Sequence, residues 1–362
     1  MMTSGAPVSD GRITDVAAAF LRFGADTLSA RMLTDLPREG DWLLALAARV
    51  GVPADERRAA VARARRDAAD ALARATAAGQ RPLTSRDDGY PPLLRQIADP
   101  PIVLWTRGDA SLLSRPAVAV VGARAATPAG LDAARRLGRD LATAGLVVVS
   151  GLARGVDAAA HQGALEAGGL TVAILGSGLD IVYPPEHRAL AARIAAGGVL
   201  ASELPPGAPP LGHHFPLRNR IISGLSKAVV VIEASLKSGS LITARAALEQ
   251  GRDVLAVPGG VASGRYRGSH GLIKDGARLV ESVEDVLEEI GWPLPVRPPG
   301  QDDKSFGSSK LTVGLTRGEP CSVDELARRT GRPAADLLSE LSVLEVEGRV
   351  ARVAGGGFVR LD

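Results

Sequence analysis

The chain has a single cysteine, Cys321, in 362 residues. That excludes an internal disulfide and any thiolate-rich metal centre. The five histidines, His161, His187, His213, His214 and His270, show no ligand spacing with Cys or carboxylate, so no metal and no cofactor are expected. Three Trp, three Tyr and five Phe are too few for the broad stacking platform that many single-strand binders use. Lysine is nearly missing as well: of the 43 basic residues, only Lys227, Lys237, Lys274, Lys304 and Lys310 are not arginine. No apolar run is long enough to span a bilayer, and "MMTSGAPVSDGRITD" lacks the basic head and apolar core of a leader. The expectation is a soluble, cytoplasmic protein.

Familiar catalytic motifs are absent too. There is no P-loop, and Gly176-x-Gly178 lacks the third glycine of a dinucleotide fingerprint. Ser150, Asp157 and His161 lie close in sequence, but no G-x-S-x-G elbow frames the serine, and Asp157 and His161 fall one turn apart on one helix. They read as capping and packing residues, and no catalytic residue is assigned.

What is present is apolar patterning on a chain long enough for two or three domains. Hydrophobic residues make up 46% and the formal charge is only +3, so any basic surface must be local. Residues 1–85 are Ala- and Arg-rich with helical spacing. Within them "DERRAAVARARRDAADALAR" (Asp55 to Arg74) carries six arginines; its acids Asp55, Glu56, Asp67 and Asp70 favour a solvated helix face over a nucleic-acid strip. Residues 86–291 alternate apolar runs with helical stretches. "AVAVVG" (117–122), "LVVVSG" (146–151), "TVAILG" (171–176), "GVLASE" (198–203), "AVVVIEA" (228–234) and "DVLAVPG" (253–259) read as buried strands. That is the pattern of an α/β, doubly wound parallel sheet, Rossmann-like, with helices on both faces. Residues 292–310 read as a Pro/Gly/Ser linker. Residues 311–362 predict a helix capped by Ser322, a second from Pro333 to about Glu347, and a β-hairpin, together a winged-helix-like module. Its second helix carries Asp336, Glu340, Glu345 and Glu347 and no cation, which suits a protein-contacting or structural role better than groove reading.

In doubly wound sheets ligands sit beyond the carboxyl ends of the strands. Gly122, Arg124, Ser150 and Arg154 occupy such ends, and Arg218, Asn219 and Arg220 precede the fifth strand. Helix starts at Thr127-Pro128, Gly155 and Ser238-Gly239-Ser240 aim N–H groups at the same rim. Glu203 and Glu233 read as carboxylates that orient neighbouring arginines. The pattern predicts an anion pocket, without separating a nucleotide from a polynucleotide.

Six stretches carry a resemblance: "DDGYPPLLRQIADPPIVLWTRGD" (87–109), "AVAVVGARAATPAG" (117–130), "VVSGLARGVDAAAHQGAL" (148–165), "ILGSGLDIVYPPEH" (174–187), "FPLRNRIISGLS" (215–226) and "EASLKSGSLITARAALEQGRDVLAVPG" (233–259). In order and spacing they resemble the DprA/Smf family of DNA-processing proteins. The resemblance is dense over about 86–280. The tail is similar to the family's winged-helix-like domain, and the first 85 residues more weakly to its sterile-alpha-motif-like domain, without a Pro-Gly-Ile-Gly hairpin.

The resemblance implies a non-enzymatic binder of single-stranded DNA that protects incoming strands during natural transformation and assists loading of the RecA recombinase. It implies a homodimer through the Rossmann-like domain. Arg124 becomes the leading phosphate ligand, Phe215 a base-stacking surface, Arg218, Asn219 and Arg220 pocket donors, and Lys237, Ser238, Gly239 and Ser240 the rim. Two positions depart from the family pattern: His187 follows "YPPE" where asparagine is usual, and Ser269-His270-Gly271 replaces Gly-x-Asn. A second class, a nucleoside-monophosphate phosphoribohydrolase, would need a catalytic Glu after a Pro-Gly-Gly-x-Gly-Thr turn; here Ala244 stands at that place. A third, an interaction scaffold recruiting a basic partner through the acidic tail, is compatible with the first.

Overall fold

This computed structural model describes residues 16–17, 42–262, 264–293, 315, 318–346, 348–353 and 356–361. The readings made above for the first fifteen residues and for most of the 292–310 linker lie outside them, as does Glu347.

Nine strands form one sheet in the order β1-β2-β6-β5-β4-β3-β7-β8-β9. They are β1 (Arg81–Thr84), β2 (Val103–Gly108), β3 (Ala117–Gly122), β4 (Val147–Ser150), β5 (Thr171–Ile174), β6 (Val199–Ser202), β7 (Ala228–Ile232), β8 (Asp253–Ala256) and β9 (Arg278–Leu279). All six expected strands form and are parallel. Beyond the six, the sheet is extended at one side by β2, which runs antiparallel to both β6 and β1. Strand β1 also starts before residue 86, so the sheet begins at Arg81 rather than at the expected boundary. Pro82 is accommodated because β1 is an edge strand.

Helices cover both faces. Helices α4 (Pro128–Thr143) and α5 (Val156–Glu166) lie on one and α7 (His214–Gly224) and α8 (Ser240–Glu249) on the other. The strand period of two dictates the division. Val118 and Val120 pack with Ala134, Leu137 and Ala160, whereas Ala119 and Val121 pack with Ile221, Ile222, Ala244 and Ala247. Helices α4 and α5 approach closely because each presents a glycine to the other: a Cβ on Gly138 would strike the Ala160 carbonyl, and one on Gly163 the Arg135 carbonyl.

Upstream, α1 (Trp42–Arg49) and α2 (Arg57–Ala77) share a buried cluster with Ile102, Val103 and Trp105 of the sheet. On α2 the buried positions are Val61, Ala64, Ala68, Ala71, Leu72 and Ala75, and Arg58, Arg63, Arg66 and Arg74 are exposed. The arginine run is thus the outer face of an amphipathic helix. The remaining helices are the short α3 (Pro92–Arg95), α6 (Arg188–Gly197), α9 (Arg267–Lys274) and α10 (Val283–Glu289).

The C-terminal module has its own core of Leu326, Leu337, Leu341, Leu344, Val350 and Phe358. Helix α11 (Val323–Thr330) is capped by Ser322, whose Oγ accepts from Glu325 N–H at 3.2 Å, and stops at Gly331 in the left-handed region. Helix α12 (Ala334–Val346) and the antiparallel pair β10 (Val350–Arg352) and β11 (Phe358–Arg360) follow. Helix, helix, hairpin is the expected order. No helix among the described residues is long and apolar enough to cross a membrane.

Candidate nucleic-acid interface

The strand order fixes where a ligand can enter. From β3 the chain proceeds outward through β4, β5 and β6, then returns to place β7 on the other side of β3 and continues to β8 and β9. The two connections leave in opposite directions, so a crevice opens beyond the carboxyl ends of β3 and β7. A cavity of about 690 Å³ occupies that position, within the usual range for ligand pockets. Gly122 closes β3 at its floor, where a Cβ would strike the Ile232 carbonyl.

Its walls are the 122–125 loop, one side of α7 with Phe215, Arg218 and Asn219, the α8 start with Ser238, Gly239 and Ser240, and Glu233 and Arg265. Arg124 is exposed, its guanidinium carbon 5.5 Å from the Phe215 ring centroid. A cation over a ring face is a weakly attractive pairing that leaves the guanidinium edge for other partners. Among the described residues no carboxylate pairs with Arg124.

Arg218 is different. Only 7% of it is exposed, and its Nη1 donates to Gly151 O at 2.6 Å and to Ile174 O, while Nε donates to Asn219 Oδ1 at 3.2 Å. Burial pulls its pKa down to about 10, against the support of the Asp157 carboxylate. Asp157 accepts from Gly151 N–H at 3.0 Å and Ala153 N–H at 3.4 Å, so it closes the β4–α5 loop as well as balancing Arg218. Burial pushes its carboxyl up; Arg218 and those N–H groups oppose the rise.

Other expected members fall outside the cavity. Arg220 is clamped by both oxygens of Glu203, at 2.8 and 2.9 Å, and its Nε donates to Asp99 at 3.2 Å. Burial works against its charge, but Glu203 and Asp99 more than compensate and raise its pKa. Arg154 pairs with Glu186 in the open and lines a smaller recess with Tyr183 and Phe215. Ser150 is fully buried and donates to Val120 O at 2.6 Å. Lys237 is exposed, just outside the lining. The surplus of arginine expected at this sheet edge is therefore smaller than the sequence suggests.

The helix starts need the same correction. At α4, Thr127 N–H and Oγ1 donate to Glu233 Oε2 at 2.8 and 2.7 Å, Thr127 Oγ1 accepts from Gly130, and Pro128 has no N–H. At α5, Val156 N–H goes to Ala123 O at 3.2 Å. Those donors are spent inside the protein. At α8, Gly239 is the N-cap, and Ser238 and Ser240 share a hydroxyl contact of 2.7 Å. The cationic groups that line the cavity are therefore side chains, with the α8 start beside them.

Among the residues weighed for catalysis, Ser150 is bonded to backbone and His161 Nδ1 lies 2.7 Å from Thr171 Oγ1. The Thr171 hydroxyl donates to Val148 O, so His161 must donate through Nδ1, leaving Nε2 as a buried acceptor with no partner among the described residues. Sequence reasoning missed Arg265 as a cavity residue. The signal was its place in an Arg- and Gly-rich segment after a strand that borders the crevice. No group of three His, Cys, Asp or Glu converges among the described residues.

A family model for DNA recombination-mediator protein A matches residues 81–291. The chain belongs to the DprA/Smf family. A second model, for the DprA winged helix domain, matches 314–356, so both folded parts carry the family pattern. Protein Smf of Escherichia coli (strain K12) is 43% identical over 281 residues, covering 75% of each chain. The crystal structure of DNA processing protein A from Streptococcus pneumoniae superposes with a TM-score of 0.64 at 36% identity, covering 79% of this chain and 95% of that one. DNA processing protein A from Helicobacter pylori, solved for its single-stranded DNA binding mode, gives a TM-score of 0.53 at 31% identity, covering 58% and 95%.

Proposed function

We propose that this DprA/Smf protein binds single-stranded DNA in the β3–β7 cavity, without cleaving it, and delivers the strand to the RecA recombinase during transformation. The observation that supports this most is the pairing of Arg124 with Phe215 at the mouth of a 690 Å³ cavity. One supplies a planar donor for a phosphodiester and the other an apolar face for a base. With few aromatics elsewhere, affinity rests on arginine–phosphate contacts and falls with salt. In a homodimer joined through the Rossmann-like domain, one strand reaches two cavities and gains avidity. The acidic α12 suits a protein contact. The protein works in the cytoplasm.

Fluorescence anisotropy with labelled oligo-dT and a matched duplex, across a salt series, tests the reading. Wild type is expected to prefer the single strand. Arg124→Ala lowers that affinity by about tenfold at unchanged melting temperature, and fails to stimulate RecA-dependent strand exchange. Preference for duplex, or an Arg124→Ala protein that binds like wild type, overturns it.

A further inference from the structure

Arg265 lines the same cavity as Phe215, from the segment between β8 and α9. Its Nη1 donates to Ala125 O at 2.9 Å and meets Glu233 Oε1 at 3.4 Å. Its side chain is 50% exposed, while that of Glu233 is 1% exposed. The carboxylate does not depend on this arginine, because its other oxygen already accepts from Thr127 N–H and Oγ1 at 2.8 and 2.7 Å. The 3.4 Å contact is the loose one of the set. Glu233 itself holds a left-handed backbone at φ 51°, a conformation of some cost in a non-glycine residue.

The segment that carries Arg265 is anchored immediately afterwards. The Tyr266 ring sits against Gly259, where any Cβ would strike it, and stacks on His270 with centroids 6.2 Å apart. Gly268 N–H donates to Ala234 O at 2.7 Å. An exposed guanidinium on an anchored backbone loses little freedom on binding.

We infer that Arg265 is a second backbone-phosphate ligand of the cavity, held over Glu233 until a phosphodiester takes the carboxylate's place. The inference rests on the single-strand reading above. A phosphodiester presents two oxygens that share its charge to the guanidinium fork, a better match than the 3.4 Å contact to Glu233 Oε1. Glu233 then acts as a stand-in anion. It offsets the charge of Arg265 until a strand arrives, and Arg265 moves only a side chain to exchange it.

The test uses full-length protein, labelled oligo-dT, and a salt series on Arg265→Ala, Arg265→Lys, Glu233→Gln and Arg124→Ala. Arg265→Ala is expected to bind about tenfold more weakly, with the slope of log K against log salt shallower by about 0.7. Arg265→Lys keeps the wild-type slope but recovers affinity only in part, because ammonium cannot make the forked contact. Glu233→Gln, whose amide oxygen still accepts from Thr127, binds more tightly than wild type. An Arg265→Ala protein with wild-type affinity overturns the inference. So does one whose affinity falls at unchanged slope, since that marks a structural role. If wild type binds no single strand, or Arg124→Ala binds normally, the cavity reading itself fails, an outcome distinct from failure of Arg265 alone.

Discussion

The two flanks of the switch crevice treat arginine in opposite ways. On the β4–β6 flank, Arg154, Arg218 and Arg220 each meet a carboxylate or a set of carbonyls, and two of the three are largely withdrawn from solvent. On the β3 and β7–β8 flank, Arg124 rests on a ring, and the half-exposed Arg265 donates to Ala125 O and meets Glu233 at 3.4 Å. One flank builds the wall with its cations and the other offers them. Both sets come from similar sequence, an arginine within a few residues of a strand or helix end. The partners decide, since a guanidinium neutralised within the fold adds little to an anion site.

The sharpest way to break the comparison is to remove a wall arginine. Arg218→Ala takes the compensating charge from the buried Asp157, and Arg220→Ala removes the guanidinium that Glu203 clamps with both oxygens. Each is expected to cost about 3–5 kcal/mol of stability, read as a large fall in the urea midpoint. The two then part company. Arg218 also lines the cavity, so its variant loses DNA affinity, whereas folded Arg220→Ala keeps the wild-type salt slope. An Arg220→Met, Glu203→Leu double variant recovers most of the lost stability, because both members of the bidentate pair are replaced by apolar side chains together. If Arg220→Ala instead flattens the slope, the wall assignment is wrong.

What was legible in the sequence follows from the same distinction. The six central strands were visible because both of their faces are buried, which leaves near-continuous apolar runs. Strands β1 and β9 were not, since they have four and two residues at the sheet edges, where no apolar run is needed. Strand β2 was masked by Pro100 and Pro101 and by its antiparallel setting. Arg124 was legible because it follows a buried strand directly into the crevice. The fate of Arg220 was not, because Asp99 is 121 positions away in the chain and only the fold brings them together. Likewise the start of α4 resembled an anion site until Glu233, 106 positions on, was seen to occupy it.

A smaller effect comes from the histidine beneath the wall. Burial, with Arg218 and His187 nearby, holds the His161 pKa at about 3, well below its ordinary value. The native state therefore stays neutral where the unfolded chain takes up a proton. Stability from this group is complete above about pH 6.5 and falls as pH drops below it, by up to about 1.4 kcal/mol per pH unit. Urea titrations between pH 7 and 5 should show that slope. His161→Asn, whose amide can replace Nδ1–H toward Thr171, should flatten it. An unchanged slope in the variant would place the acid sensitivity elsewhere.

The smallest expected effect sharpens the comparison at its margin. Arg154 and Glu186 pair on the surface, with side chains 53% and 50% exposed. Each raises or lowers the other's pKa in the sense of an ion pair, but water and salt screen such a pair strongly. Arg154 lies in the small recess beside Tyr183 and Phe215, close enough to the proposed strand path to add charge if it were released. Arg154→Ala should leave the melting temperature unchanged and weaken oligo-dT binding by no more than about twofold. The informative partner is Glu186→Gln, which removes the neutralising acid and keeps the arginine. It should strengthen binding by about twofold at low salt, with the gain vanishing near 0.5 M as screening takes over. If Glu186→Gln has no effect at any salt while Arg154→Ala costs tenfold, Arg154 belongs with Arg124 on the offering flank. The boundary between wall and site would then move to include β4.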